Sequence, residues 1–223
     1  MEKTEIVDRY WKFLLTEGKR PESVYAFASE LEMEESQFYT VFSSLGLIER
    51  DYWSSTMTDT ISVLENDEDY GDYPVDQKLL AFFYTYITHI QTHRSRFVHF
   101  FPKMAVIDEK NLSGMKQHFR EFMKVVVASG VAEGTFADRK KLTESYDKML
   151  WIHFLAVIRF YLQDESEGFQ DTDAFIEKSL KVGVQSAAHG VLDSGIDLLR
   201  FMVGKDDRFK ELGKVISKFI PKN

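Results

Sequence analysis

The sequence predicts an all-α protein. Apolar residues recur at helical spacing along nearly the whole chain. Only 4 Pro and 12 Gly interrupt 223 residues, and 19 Phe within a 14% aromatic share supply a sizeable core. The hydrophobic share of 44% is that of an ordinary globular protein. A net charge of −8 argues against a general binder of nucleic acid or anionic membranes. With no cysteine there is no disulfide framework, no thiolate metal site and no Cys nucleophile. The opening Met1-Glu2-Lys3-Thr4-Glu5 is polar and does not read as a signal peptide, so the cytoplasm is the expected compartment.

The first helix falls over residues 3–17, with Ile6, Tyr10, Phe13 and Leu14 on one stripe. Val24, Phe27, Ala28 and Leu31 give a second, short apolar face. A polar stretch, Glu34-Glu35-Ser36, follows with Ser36 as an N-cap. Phe38, Tyr39, Val41 and Phe42 then form a third helix. Helices this short do not persist alone in water, so the three pack as one head over residues 1–46, in the layout of a helix-turn-helix. Residues 47–223 form the body.

The stretch 22–45 resembles the N-terminal domain of the tetracycline-repressor (TetR) family. Phe27-Ala28 stands where that family has an Ile-Ala pair in the scaffold helix, and Phe38-Tyr39-Thr40-Val41-Phe42 stands at its Leu-Tyr-x-x-Phe signature. Two departures are informative. The turn carries Glu32-Met33 in place of glycine and an apolar residue, and Leu45 replaces a phosphate-touching lysine. The resemblance implies a TetR-like fold: a homodimer with a helix-turn-helix head and a larger helical body that holds a small molecule. Ser36, Gln37, Tyr39 and Thr40 would face DNA if that role is retained.

Charge argues against retention. DNA affinity comes mostly from Lys and Arg on phosphates, yet no Lys or Arg lies between Pro21 and Glu49. Across residues 1–50 six basic residues (Lys3, Arg9, Lys12, Lys19, Arg20, Arg50) face ten acids, a net of −4. Gln37 and Thr40 suit base edges, but nothing nearby anchors the phosphates that set register. The head therefore reads as a degenerate helix-turn-helix, with DNA a weak candidate partner. A rival reading keeps an unusual DNA contact through Arg9, Lys12, Lys19 and Arg20.

Residues 44–67 continue as a connecting helix with Leu47, Ile48, Trp53, Met57, Ile61 and Leu64 in its row. The acidic break from Glu65 to Pro74 reads as a solvated linker; a calcium loop starting at Asn66 would need a carboxylate where Gln77 stands. Residues 75–101 read as a long helix broken near Thr92–Ser95. His89 and His93 share a metal-compatible spacing but lack a third ligand, and Arg94, Arg96 and His99 could form a polar mouth. Asn111 or Ser113 starts the next helix, which Gly130 would stop. Residues 149–162 are almost wholly apolar, too short for a bilayer at about 20 residues, and are expected between core and partner subunit. His153 reads as a core histidine, and Arg159 needs an oxygen partner.

The last long helix, 171–203, carries Gly183, Ala187, Gly190 and Ser194 as a stripe of small residues. In TetR-like dimers such helices pack between subunits, and this stripe is the expected dimer interface; a close crossing within one chain is the alternative. The tail, 206–220, is amphipathic and basic. It suits either its own domain or a lipid surface, and a lipid-handling branch of the fold uses such a helix on membranes. Neither a nucleotide-binding glycine pattern nor a hydrolase or metal motif is present, so no enzyme and no cofactor are expected. The ligand would be apolar or amphipathic, lined by Phe83, Tyr86, Phe97, Phe119, Phe122, Phe154 and Tyr161.

Overall fold

The computed structural model describes residues 1–102, 110–137 and 143–189. Helix α1 (Lys3–Glu17) ends where Gly18 turns left-handed at φ +66° and returns its N–H to the Leu14 carbonyl. Helix α2 (Val24–Glu30) starts on the Ser23 hydroxyl, which accepts the Ala26 N–H at 3.0 Å. Helix α3 (Glu35–Tyr39) is a single turn. Its N-cap is Glu34 rather than Ser36, because the Gln37 side chain folds back to accept the Glu34 N–H at 3.1 Å. Helix α4 (Leu45–Glu65) begins on Ser44 and runs 21 residues from head into body.

The body continues with α5 (Val75–Gln91) and α6 (Arg94–Phe100), separated at the break the sequence predicts. Helices α7 (Ser113–Ala132), α8 (Thr143–Leu162) and α9 (Gln170–His189) complete the described elements. No strand occurs among the described residues, so the fold is all-α. None of these helices is long and apolar enough to cross a membrane. The predicted helix 171–203 is described as far as His189; Gly190, Ser194 and the tail 206–220 lie outside the described residues.

Packing explains two of the glycines, Gly130 and Gly114. Gly130 does not stop α7, which continues to Ala132. A Cβ on Gly130 would meet Phe136 at 2.7 Å and Val75 at 2.9 Å, so its role is close approach. The left-handed residue beyond the helix is Gly134, at φ +76°. Near the other end of α7, a Cβ on Gly114 would fall 2.8 Å from the Ser54 hydroxyl of α4. Helices α4 and α7 thus lie against each other along much of their length.

The core is aromatic and continuous. Helix α8 is buried from Trp151 through Ile158, and again at Phe160 and Tyr161, by α5, α6, α7 and α9 of its own chain. No partner subunit is needed to cover it. Arg159 is half-buried at its margin. Asp164 joins α8 to α9, accepting from the N–H and hydroxyl groups of Ser166 and Thr172 at 2.6–2.9 Å.

The helix-turn-helix turn is strained at one residue. Glu32 has φ +54°, a left-handed conformation that costs a non-glycine residue roughly 1–2 kcal/mol. Glu32→Gly relieves that strain but loosens the unfolded chain, and is expected to raise stability by about 0.5–1 kcal/mol. A thermal melt checks it: an unchanged or lower midpoint would count against strain in the turn.

Candidate functional site

The head is the first candidate. Its scaffold is a ladder of ring contacts, Tyr10 on Phe27 at 5.4 Å and Phe27 on Phe38 at 6.2 Å. These buried rings place α2 against α1 and α3 against α2, so the arrangement of the three helices is set by the interior. The exposed side chains are engaged locally. Beyond the Gln37 cap, the Thr40 hydroxyl donates to the Gln37 carbonyl at 2.7 Å and the Tyr39 hydroxyl to Glu35 at 3.3 Å. Ser36 is exposed on the same turn. Three of the four residues expected to face DNA therefore spend a polar group on their own helix.

Three of the cations, Arg20, Lys3 and Arg9, are engaged as well. Arg20 forms a two-pronged ion pair with Glu49 of α4, Nε to Oε1 at 2.6 Å and Nη2 to Oε2 at 2.8 Å. The Tyr10 hydroxyl donates to the same carboxylate at 2.8 Å, and Glu49 is only 7% exposed. The bond to Glu49 holds the Arg20 guanidinium more firmly protonated than usual. Lys3 pairs with Asp51 at 2.8 Å and Arg9 with Glu5 at 3.5 Å. Lys12 and Lys19 are exposed and make no ion pair among the described residues.

The interior of the body is the second candidate. Five of the seven expected lining residues come together: Tyr86 lies 4.8 Å from Phe154, Phe119 5.0 Å, and Phe83 6.4 Å. Phe122 joins them through Phe82 at 5.6 Å. Phe97 does not belong to this group. It packs on Trp53 at 5.0 Å, beside the head. Tyr161 is separate again, lying 5.0 Å from Phe169 with Arg94 over its ring at 5.3 Å. Its hydroxyl is buried without a hydrogen-bond partner.

Sequence reasoning missed Phe82 and Trp151, which sit at the centre of the cluster. Phe82 stands four residues before Tyr86, a spacing that carried the signal. The expected polar mouth is not assembled. Arg94 donates to the carbonyls of Tyr161, Leu162 and Asp164 at the end of α8. Arg96 stacks over Tyr52 and pairs with Asp8 at 3.4 Å. His89 and His93 gain no third ligand, since no group of three His, Asp or Glu suited to a metal occurs among the described residues.

His153 is enclosed by the rings of Phe83 and Phe175. Its Nε2 lies 2.8 Å from the Ser179 hydroxyl oxygen, which itself donates to the Phe175 carbonyl at 2.5 Å. The imidazole N–H is therefore the donor to Ser179. Burial pushes this histidine down to about 4 from its ordinary 6.5. Phe122 also borders an open groove of about 720 Å³ between α4, α7 and the turn Tyr70–Asp72.

On the stripe of small residues, Gly183 is exposed and a Cβ there would meet nothing within 4 Å. Ala187 is buried in its own chain, where its carbonyl accepts from the Ala137 N–H at 3.3 Å and the Tyr146 hydroxyl at 3.4 Å.

The family model described as tetracyclin repressor-like, C-terminal domain, matches residues 78–202. No curated protein was found to match.

The unfolded chain binds the His153 proton below about pH 6.5, whereas the folded chain binds it only near pH 4. Stability should therefore fall as pH drops through that window, and this histidine should account for about 2–3 kcal/mol of the loss. Urea denaturation at pH 7 and pH 4 tests it against His153→Gln, which keeps a donor for Ser179 but does not titrate. Equal acid losses in both proteins would remove His153 as the cause.

Proposed function

We propose that this chain, which belongs to the tetracycline-repressor-like family, is a homodimeric regulator whose body binds an apolar or amphipathic small molecule and whose head lacks ordinary operator binding. Family membership supplies the coarse part, a TetR-type regulator. The finer part rests on the head. The observation that carries it is the two-pronged capture of Arg20 by buried Glu49. A guanidinium held at both prongs has little left for a phosphate, and Lys3 and Arg9 are paired too. Glu34 and Glu35 at the start of α3 would meet a polyanion first. Like charges at that point oppose the contact that supplies most non-specific affinity.

Support for the body as a binder is the concentration of Phe and Tyr at the junction of α5, α7 and α8. Support for dimerisation is the open face at Gly183 on α9. A glycine inside a helix costs roughly 1 kcal/mol against alanine, and no neighbour among the described residues requires it there. A second backbone approaching that face explains it.

Two outcomes check this reading. In a gel shift at low salt against the DNA upstream of its own gene, no sequence-specific shift is expected; a specific shift would overturn the loss and restore a working repressor, its recognition helices about 34–36 Å apart. Light scattering of Gly183→Leu should show monomers or aggregates, because the added side chain has room among the described residues of one chain but would hold two packed backbones apart. An unchanged dimer would remove α9 from the interface.

A further inference from the structure

The open groove between α4 and α7 has a floor and a rim of different character. Leu64 and Val126 are buried in its floor, and the Tyr70 ring stacks on Phe122, centroids 6.2 Å apart with planes at 20°. Val125 stands beside them 71% exposed, a large apolar side chain left in water. The rim carries Glu65, Asp67 and Glu121, all exposed, against Lys78 and His118. Three carboxylates against one ammonium leave a net of −2 with His118 neutral. The Lys78 amine is also turned toward the Ser129 hydroxyl at 3.3 Å.

We infer that this groove is a binding site for an amphipathic organic cation. The apolar body of the ligand would cover Val125 and lie on the Tyr70–Phe122 pair. Its positive centre would sit among Glu65, Asp67 and Glu121, where carboxylates and an aromatic face act in the same sense. Tyr70 reports the local field: burial raises its hydroxyl's pKa, and the Glu65 carboxylate raises it further. An anionic ligand would meet three like charges. A bare metal ion finds no cluster of three ligands among the described residues. An organic cation needs no such cluster, because its charge is spread and its binding energy comes mostly from burial.

The groove uses the far half of α4, from Thr58 to Glu65, while the near half carries Glu49, which holds Arg20. An occupant therefore rests on the same helix that fixes the head. The inference rests on the reading of the body as a small-molecule binder, but not on what the head does with DNA.

The test is calorimetric titration of the full chain with tetraphenylphosphonium and with tetraphenylborate, ions of the same shape and opposite charge. Saturable binding of the phosphonium is expected, with the borate at least about tenfold weaker. Glu65→Gln combined with Glu121→Gln should weaken the phosphonium by about three- to tenfold. Both positions are exposed, and unchanged circular dichroism would confirm that the variant folds. Equal or tighter binding of the borate overturns the charge assignment. Phosphonium binding that ignores the double substitution overturns the location. If neither ion binds, the groove assignment falls while the gel-shift result stands separately.

Discussion

The structure depends on how the Glu49 carboxylate is satisfied. A buried carboxylate without partners costs several kcal/mol, and Glu49 has two, Tyr10 from α1 and Arg20 from the loop before α2. Removing one partner of such a buried pair typically costs about 3–5 kcal/mol. Arg20 itself is largely exposed, which lowers that figure here. The geometric consequence is firmer than the energetic one. One side chain on α4 fixes both α1 and the chain leaving it, so the head cannot shift against α4 without exposing a charge to an apolar interior.

The same logic continues into the body. Beyond Glu49 on α4 come Tyr52 and Trp53, which pack on Trp11 of α1 and on Phe97 of α6. Arg96 of α6 lies over the rings of Trp11 and Tyr52 and reaches Asp8. Stacking lets a cation satisfy itself on ring faces while its end meets a carboxylate. Helices α1, α4 and α6 are thus joined by one polar clamp and one aromatic cluster. A displacement of α4 at its body end must be transmitted to α1 or break the cluster. The close approach of Gly114 to Ser54 adds a third constraint, because α4 cannot slide past α7 freely.

Much of this was legible in the sequence. The stripe Ile6–Tyr10–Leu14 gave α1, and the long helix read over 75–101 with its break near Thr92–Ser95 gave α5 and the start of α6. Periodicity reports which face is apolar, so it finds helices and their inward sides. It does not report which buried ring meets which. Phe97 and Phe83 look alike in sequence, yet one joins the head and the other the body. Polar pairings were less legible still. Arg20 and Glu49 are 29 residues apart, and neither sits in a motif. The groove escaped because Tyr70 lies in an acidic break that reads as linker; an aromatic residue inside such a break was the one available signal.

In the head, the residues that set the shape are not the residues that set the surface charge. Its fold is held by Tyr10, Phe27, Phe38 and Phe42, all buried to within 1% exposure. None of these can touch DNA, and any set of surface charges is compatible with them. Selection on the fold therefore leaves the surface free, whereas selection on DNA binding would hold cations where the phosphates lie. Glu32 sits in the same light. A left-handed turn favours glycine, and a glutamate there tolerates strain as well as bringing negative charge to the turn between α2 and α3. A surface under pressure to meet a polyanion would keep neither property. The combination of a tightly packed interior and a strained, acidic turn is the physical basis of the proposal that this head lacks ordinary operator binding.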